Sequence, residues 1–172
     1  MQLILMRHAK SDWHTGAGRD FDRPLNKRGC RDAPRMGRWL AAQGLMPDRM
    51  VSSPAARARQ TALAVAQELG YAEDRIIWSN DIYEAPLNNL LKVLRQNAAE
   101  CRTLMLVGHN PGLDALACFL ADAAWDHRRR GKLITTAAVA VFAIPGTDVR
   151  ENCASLIHFM RPRDLDDAGG PG

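Results

Sequence analysis

The chain has 172 residues, of which 47% are hydrophobic and 24% are charged. This composition is typical of a folded globular protein, and it excludes an intrinsically disordered, collagen-like or low-complexity chain. Lysine and arginine number 23 against 19 aspartates and glutamates, and the resulting net charge of +4 favours anionic ligands without establishing one.

Strand and helix patterns alternate from the first residues onward. The apolar run Leu3–Met6 ends in charge, which is typical of a buried strand in a parallel sheet. A polar loop over residues 11–25 follows. Helical periodicity then runs from Asn26 to Gln43, where Pro34 is expected to kink or restart the helix. Residues 48–52 predict a second, short strand.

The same alternation continues to residue 120. Ser53 and Pro54 predict an N-cap followed by proline at the first helical position, and Gly70 is expected to end that helix. Asn110 and Pro111 predict the same kind of start for a later helix. The remaining predicted elements are a strand over residues 75–78, a helix over 86–96, a strand over 103–107 and two late strands over 133–144 and 154–159.

This order of elements predicts an α/β fold, a three-layer α/β/α sandwich in which helices cover both faces of a mostly parallel, mixed sheet. The chain length fits a single domain, which we place at residues 1–160. Residues 161–172 are rich in Asp, Gly and Pro, and we expect them to form a flexible tail.

The sequence carries no pattern typical of secretion, a membrane span or a metal site. The four cysteines lack C-x-x-C spacing, so free thiols in a reducing cytoplasm are expected. The longest apolar stretch, residues 137–144, is far below the ~18 residues of a membrane span. The basic run over residues 127–132 has no interleaved aromatic side chains, which favours a solvated loop over a nucleic-acid site. We therefore expect a cytoplasmic protein without membrane or nucleic-acid partners.

Two histidines follow the ends of two predicted strands. His8 comes just after the first strand, and His109 comes just after the strand over residues 103–107. Because ligand sites in parallel sheets form at the carboxyl ends of strands, we expect the two imidazoles to meet at one edge. Arg7 and Arg57, the latter in the first turn of a helix, would join them there. Guanidinium groups bind phosphate oxygens bidentately, so these residues predict an anion pocket.

Three segments resemble the motifs of the histidine phosphatase superfamily, which has a phosphoglycerate mutase-like fold. Leu5–Ser11, LMRHAKS, resembles its R-H-G-x-S opening. Ser52–Ala62, SSPAARARQTA, resembles its second block, S-S-P-x-x-R-A-x-Q-T-A, and Val107–Asn110, VGHN, resembles the block that holds the second histidine. The motifs occur in the right order. The short chain and its R-H-A-K-S variant are most similar to the SixA-type branch of small phosphohistidine phosphatases.

The resemblance implies roles for the matched residues. His8 is the expected nucleophile that accepts the phosphoryl group, and Arg7, Arg57 and His109 are expected to complete a charged cage around phosphorus. Glu84 falls where the superfamily often carries its acid/base carboxylate, although an acidic residue at the start of a helix is equally typical of a solvated position.

Three further residues are expected near the substrate. Ser11 matches a serine that supports the nucleophile in many members, and Asn110 adjoins the second histidine. His14 occupies a place where related proteins often carry a phosphate-binding asparagine, and a solvated loop position is the alternative. Ala9 departs from the glycine that usually follows the first histidine, which is expected to shift the backbone beside the nucleophile.

The implied chemistry is phosphoryl transfer, which depends mainly on positioning and charge stabilisation. A neutral imidazole attacks in line, and flanking arginines oppose its protonation. Water then hydrolyses the phosphohistidine that has formed. No metal or other cofactor is expected, because two arginines and a charged His109 would supply the positive charge.

Three functions remain open on the sequence. A phosphatase acting on phosphohistidine of a signalling protein is favoured by the family resemblance. A small-molecule phosphomonoester phosphatase or mutase would use the same chemistry. Glu84 keeps a phosphomonoester open, since an alkoxide leaving group needs more acid help than imidazole does. The chain has little spare length for the enclosing lid of a mutase. A non-catalytic phosphate-binding module is disfavoured, because no core motif residue is missing.

Overall fold

The computed structural model of the chain describes residues 1–13, 16, 18–99, 101–122, 134–146 and 148–167. Predictions for His14, for the basic run over residues 127–132 and for the end of the tail over residues 168–172 lie outside the described residues.

A six-stranded sheet forms the centre of the fold. Its strands are β1 (Gln2–Arg7), β2 (Arg49–Ser52), β3 (Ile77–Trp78), β4 (Thr103–Gly108), β5 (Val139–Ala143) and β6 (Ser155–Met160). They are arranged in the order β3-β2-β4-β1-β5-β6. The first four are parallel to their neighbours, whereas β5 runs antiparallel to β1, and β6 antiparallel to β5. The predicted mostly parallel, mixed sheet is thereby confirmed.

Helices cover both faces of this sheet. They are α1 (Lys27–Ala42), α2 (Ala56–Leu69), α3 (Leu87–Ala98), α4 (Gly112–Leu120) and the short α5 (Asp164–Asp167). Successive side chains of a strand point to opposite faces. On β1, Ile4 and Met6 pack in the core that contains α1 and α2, while Leu3 and Leu5 pack in the core that contains α3 and α4. The fold is therefore the predicted three-layer α/β/α sandwich.

The helices of the described part of the chain are all too short or too polar to span a bilayer.

Helix α1 continues through Pro34, so the expected restart at this proline is wrong. Proline removes one backbone hydrogen bond from a helix. Packing of the apolar face of α1 offsets this loss, because Ala33, Met36 and Leu40 are fully buried. The chain leaves the helix at Gly44, whose φ of 68° lies in the left-handed region that suits glycine.

Two predicted helix starts are wrong. Helix α2 begins at Ala56, and the Ser53 hydroxyl accepts the Ala55 amide over 3.3 Å and shares a hydrogen bond with His109. Helix α4 begins at Gly112. The Asn110 amide nitrogen donates to Asp114 and to the carbonyl of Ile134, while its Oδ1 has no partner among the described residues. Neither side chain caps its helix as predicted.

Two predicted strands are shorter in the structure. A 3-10 turn over Glu73–Arg75 takes the start of the predicted third strand, which leaves only two residues for β3. Strand β5 begins at Val139, because the preceding residues fold across the end of β1, where the Ala137 amide donates to the carbonyls of Arg7 and His8. Beyond the predicted domain end at residue 160, Pro162 is buried and Leu165 packs against the core on the α1–α2 face.

Candidate active site

The ends of β1 and β4 bring the two histidines together. Arg7 pairs with Gly108 across these neighbouring strands, so His8 and His109 follow side by side. Their ring centroids lie 5.0 Å apart, and both side chains are buried. The predicted meeting of the two imidazoles at one sheet edge is confirmed. A Cβ at Gly108 would lie 2.8 Å from the Ile82 side chain, so glycine allows Ile82 to pack against the end of β4.

His8 is held as a neutral imidazole with one ring nitrogen directed at Arg57. Its Nδ1 lies 2.8 Å from the carbonyl oxygen of Ala9, which assigns the ring proton to Nδ1. The Arg57 Nε–H donates to Nε2 over 3.3 Å. Burial, above all, and the charges of Arg57, Arg7 and Arg23 lower the pKa of His8 to about 4, although the bond to Ala9 acts in the other direction. At neutral pH Nε2 therefore carries a lone pair.

Arg57 lies in the first turn of α2, as predicted, and is almost fully buried. Besides its bond to His8, its guanidinium donates to the backbone oxygen of Asp20 over 2.7 Å and to the Asp20 carboxylate over 2.8 Å. The guanidinium is thus fixed between the nucleophile candidate and an acidic side chain from the loop that follows β1. Sequence reasoning did not identify Asp20.

The Asp20 carboxylate lies at the centre of a polar network. It also accepts bonds from Arg23, over 2.6 Å, and from the Tyr83 hydroxyl, over 3.0 Å. Burial raises the pKa of Asp20, but the hydrogen bonds from Arg23 and Tyr83 and the charges of Arg57 and Arg23 outweigh it and lower the pKa to about 2. Asp20 is therefore ionised at neutral pH and has no proton to donate.

His109 is uncharged at neutral pH. Its Nε2 shares a hydrogen bond of 2.9 Å with the Ser53 hydroxyl, and its Nδ1 is buried without a partner among the described residues. Burial, followed by the charges of His8 and Arg57, lowers the pKa of His109 to about 3. The charged form that is expected beside a bound phosphoryl group stays a prediction.

Arg7 and Asn110 converge on the segment that precedes β5. Arg7 donates to the carbonyl oxygen of Ile134 over 3.2 Å, and its Nε is buried without a hydrogen bond to the described residues. Asn110 donates to the same carbonyl over 2.9 Å and to Asp114 over 2.7 Å. The Asp114 carboxylate in turn accepts the Ile134 amide. The Asn110 amide nitrogen is therefore already bonded within this loop.

Two other predicted residues make no hydrogen bond to either histidine among the described residues. Ser11 is buried and accepts a hydrogen bond from Arg23, so it belongs to the Asp20 network. Glu84 is exposed, with a left-handed φ of 46°. Its carboxylate makes no hydrogen bond or ion pair with the parts of the chain that the structure describes. The acid/base role of Glu84 therefore stays a prediction.

Thr61 is a further residue that sequence reasoning missed. Its hydroxyl accepts the Ala9 amide over 3.0 Å and donates to the Arg57 carbonyl over 2.7 Å. This bridge ties the backbone beside His8 to the first turn of α2. The signal for Thr61 was present in the Q-T-A end of the second motif, whereas Asp20 and Tyr83 had no motif around them.

A model of the family described as histidine phosphatase superfamily (branch 1) matches residues 3–84. An uncharacterized protein of Mycobacterium tuberculosis is 36% identical over 167 residues, which cover 92% of this chain and all of that protein. The phosphohistidine phosphatase SixA of Escherichia coli is 39% identical over 61 residues, 36% of this chain and 37% of that protein.

A solved structure gives the same result over nearly the whole chain. The proposed phosphohistidine phosphatase SixA from Agrobacterium tumefaciens superposes with a TM-score of 0.80 at 30% identity, covering 94% of this chain and 97% of that chain. The α/β sandwich is therefore the phosphoglycerate mutase-like fold. From the motifs, the paired histidines and these similarities, we conclude that the chain belongs to the histidine phosphatase superfamily, in its SixA-type branch, and is a phosphatase.

Proposed function

We propose that this enzyme removes the phosphoryl group from phosphohistidine on a signalling protein, without a metal ion, through a phosphohistidine intermediate on His8. The substrate assignment rests on which carboxylates the site contains and on whether they carry a proton. Asp20 contacts Arg57 but is ionised at neutral pH, and Glu84 is exposed and makes no hydrogen bond to His8, His109 or Arg57. A protonated carboxyl is what an alkoxide leaving group requires and an imidazole leaving group does not.

The first step forms a bond between the His8 Nε2 and phosphorus while the bond from phosphorus to the substrate imidazole breaks. The leaving imidazole takes its proton from solvent. The Arg57 Nε–H, which donates to the Nε2 lone pair of His8, turns to a phosphoryl oxygen as that lone pair forms the bond to phosphorus. Arg7, whose Nε has no hydrogen bond to the described residues, supplies a second guanidinium. Preorganised donors of this kind stabilise the charge on the transferred group.

His109 responds to the bound phosphoryl group. Its low pKa reflects burial and neighbouring cations, and a dianion placed beside it reverses the electrostatic part of that effect. We infer that His109 takes up a proton when the phosphoryl group binds and then donates to one of its oxygens. In the second step water attacks phosphorus, the bond to His8 breaks, and inorganic phosphate leaves.

The test compares kcat/KM on three substrates in the presence of EDTA: a protein phosphorylated on histidine, a protein phosphorylated on serine, and p-nitrophenyl phosphate. We expect full activity with the chelator and the highest kcat/KM on phosphohistidine. Complete loss of activity on chelation, restored by Mg²⁺ or Zn²⁺, would overturn the metal-free mechanism.

The variant Glu84→Gln tests the substrate assignment directly. Its rate on phosphohistidine should stay within about twofold of the wild type, whereas removal of a general acid costs roughly 10²–10⁴-fold. Glu73→Gln, which neutralises another exposed carboxylate, is the matched control. A hundredfold loss in Glu84→Gln alone, together with a preference for phosphoserine, would assign Glu84 as the acid and a phosphomonoester as the substrate.

A further inference from the structure

We propose that a group of arginines beside the active site is a docking surface for acidic side chains of the phosphoprotein substrate. This arginine patch surrounds a depression of about 300 Å³. Its members are Arg28, Arg31 and Arg35 of α1 together with Arg161 and Arg163 after β6. The proposal rests on the proposed function, because it assigns the patch to the protein that carries the phosphohistidine.

The arginines of α1 pair with a buried carboxylate, and two of them remain exposed to solvent. Residues 28, 31 and 35 recur at the spacing that places side chains on one face of a helix. The Asp32 carboxylate, only 8% exposed, lies 2.9 Å from Arg31 and 3.9 Å from Arg28. The Arg28 and Arg31 side chains are nevertheless 54% and 64% exposed. Arg163, on the other side of the depression, is 73% exposed.

The patch adjoins the phosphoryl site through one short segment of chain. Thr135 and Thr136 line the depression, and Arg28 donates to the Thr136 hydroxyl over 3.4 Å. The residues on either side of this pair, Ile134 and Ala137, bond to Arg7 and to the carbonyl of His8. A substrate that extends beyond its phosphoryl group therefore reaches the patch, whereas p-nitrophenyl phosphate does not.

The chemistry of the patch selects the partner. Guanidinium groups pair with carboxylates and phosphates. A small phosphate compound is typically recognised by buried donors that converge on one point. Here Arg31 and Arg163 are largely exposed and come from separate elements, which suits several carboxylates spread over a protein surface. Complementary charge of this kind raises association rates and selects partners.

The experiment uses two synthetic phosphohistidine peptides of equal length that differ only in four flanking residues, glutamate in one and glutamine in the other. The wild type should hydrolyse the glutamate peptide with a roughly tenfold higher kcat/KM, the sum of a few weak exposed ion pairs. This preference should disappear near 1 M NaCl, where the Debye length is about 3 Å.

The patch variant Arg28→Gln/Arg31→Gln/Arg163→Gln should lose the preference and keep wild-type activity on p-nitrophenyl phosphate. The control Arg75→Gln/Arg102→Gln/Arg150→Gln removes the same charge from exposed arginines outside the patch, which lie just before β3, just before β4 and between β5 and β6, and should keep the preference. Arg163→Gln alone leaves the ion pairs of the buried Asp32 with Arg28 and Arg31 intact. This single variant should show a partial loss of the preference. Such a loss would show that the effect in the triple variant does not come from a folding defect.

Three outcomes would overturn the proposal. Equal rates on both peptides in the wild type would show that flanking acids are not recognised. An equal loss of the preference in the patch and control variants would show that the preference depends on the net charge of the enzyme and not on the patch. A small bisphosphate that the wild type, but not the patch variant, hydrolyses faster than p-nitrophenyl phosphate would assign the arginines to a second phosphate. By contrast, no hydrolysis of either peptide would refute the proposed function itself.

Discussion

The two active-site histidines differ in how their ring nitrogens are bonded, and this difference ranks them. The Nδ1 of His8 is tied to Ala9, which leaves Nε2 as a nucleophile beside Arg57. The Nε2 of His109 is tied to Ser53. Rapid quench with a radiolabelled substrate should trap an acid-labile, base-stable phosphoryl-enzyme. His8→Ala should abolish the label, whereas His109→Ala should slow labelling without preventing it. Label that survives only in His8→Ala would reverse the assignment.

Arg57 bonds directly to His8 and twice to Asp20. Arg57→Ala should therefore lower kcat by roughly 10²–10³-fold, or about 3–4 kcal/mol, the typical cost of one preorganised donor. Arg57→Lys should recover only part, because the planar fork is lost. Orthovanadate, which mimics pentavalent phosphorus, should inhibit the wild type and bind more weakly to both variants.

The matched control for Arg57 is Arg59→Ala, in the same helix. Arg59 is exposed and stacks over the Trp78 ring at 5.2 Å, outside the site. The turnover and vanadate affinity of the Arg59→Ala variant should equal those of the wild type. If Arg57→Ala behaves like Arg59→Ala, the buried guanidinium is structural and takes no part in catalysis.

The residues that could be predicted from sequence are those whose place follows from a regular element. His8, His109 and Arg57 stand at strand ends or in a first helical turn, so a parallel sheet brings them to one edge. Asp20 and Tyr83 reach the same site from irregular segments, whose path is set by the bonds they make to Arg57 and to each other. Periodicity carries no information about such paths.

At the scale of elements, helix α4 packs on its neighbours through glycine. A Cβ at Gly112 would lie 2.2 Å from the Ala85 carbonyl oxygen and 3.1 Å from the Leu90 side chain. Gly112→Ala should therefore lower the free energy of unfolding by about 1–3 kcal/mol, as overpacking of a dense core does. Urea unfolding would measure this loss.

Gly18→Ala provides the comparison for that substitution, because a Cβ at Gly18 meets no atom of the described residues within 4 Å. Its unfolding midpoint should match that of the wild type. Equal midpoints for Gly112→Ala and the wild type would mean that α4 can shift away from the residues before α3 at little cost. In that case the approach of the two backbones would not depend on glycine at residue 112.

The presence of the helices could be predicted from the sequence, but the residues at which they begin were predicted less well. The periodic apolar faces of α1 and α2 identified both helices, since these faces are fully buried against each other and the sheet. The starts of α2 and α4 were misplaced, since neither Ser53 nor Asn110 caps its helix in the structure. Polar residues with two possible uses, capping and binding, are not separated by local pattern alone.

At the scale of the whole molecule, the sheet order explains how one site draws on distant parts of the chain. Strands β1 and β4 are neighbours although about 100 residues separate them, and β2 lies on the other side of β4. Alternating strands and helices predicted the parallel part of this sheet. The antiparallel placement of β5 beside β1 followed from no pattern in the chain, because it depends on how residues 134–138 cross the end of β1.

The burial of two neutral histidines makes the stability of the whole molecule depend on pH. Their folded pKa values of about 4 and about 3 lie below the ordinary 6.5, so below pH 6.5 the unfolded chain binds protons that the folded chain does not. Stability should therefore fall as the pH decreases, by about 2 kcal/mol per histidine between pH 7.5 and 5. Urea unfolding at both pH values measures this difference.

In His109→Gln the loss of stability between the two pH values should shrink by about half. Saturating inorganic phosphate should also reduce this loss, because a bound anion allows the histidines to be protonated in the folded state. An undiminished acid loss in His109→Gln would show that other groups cause it.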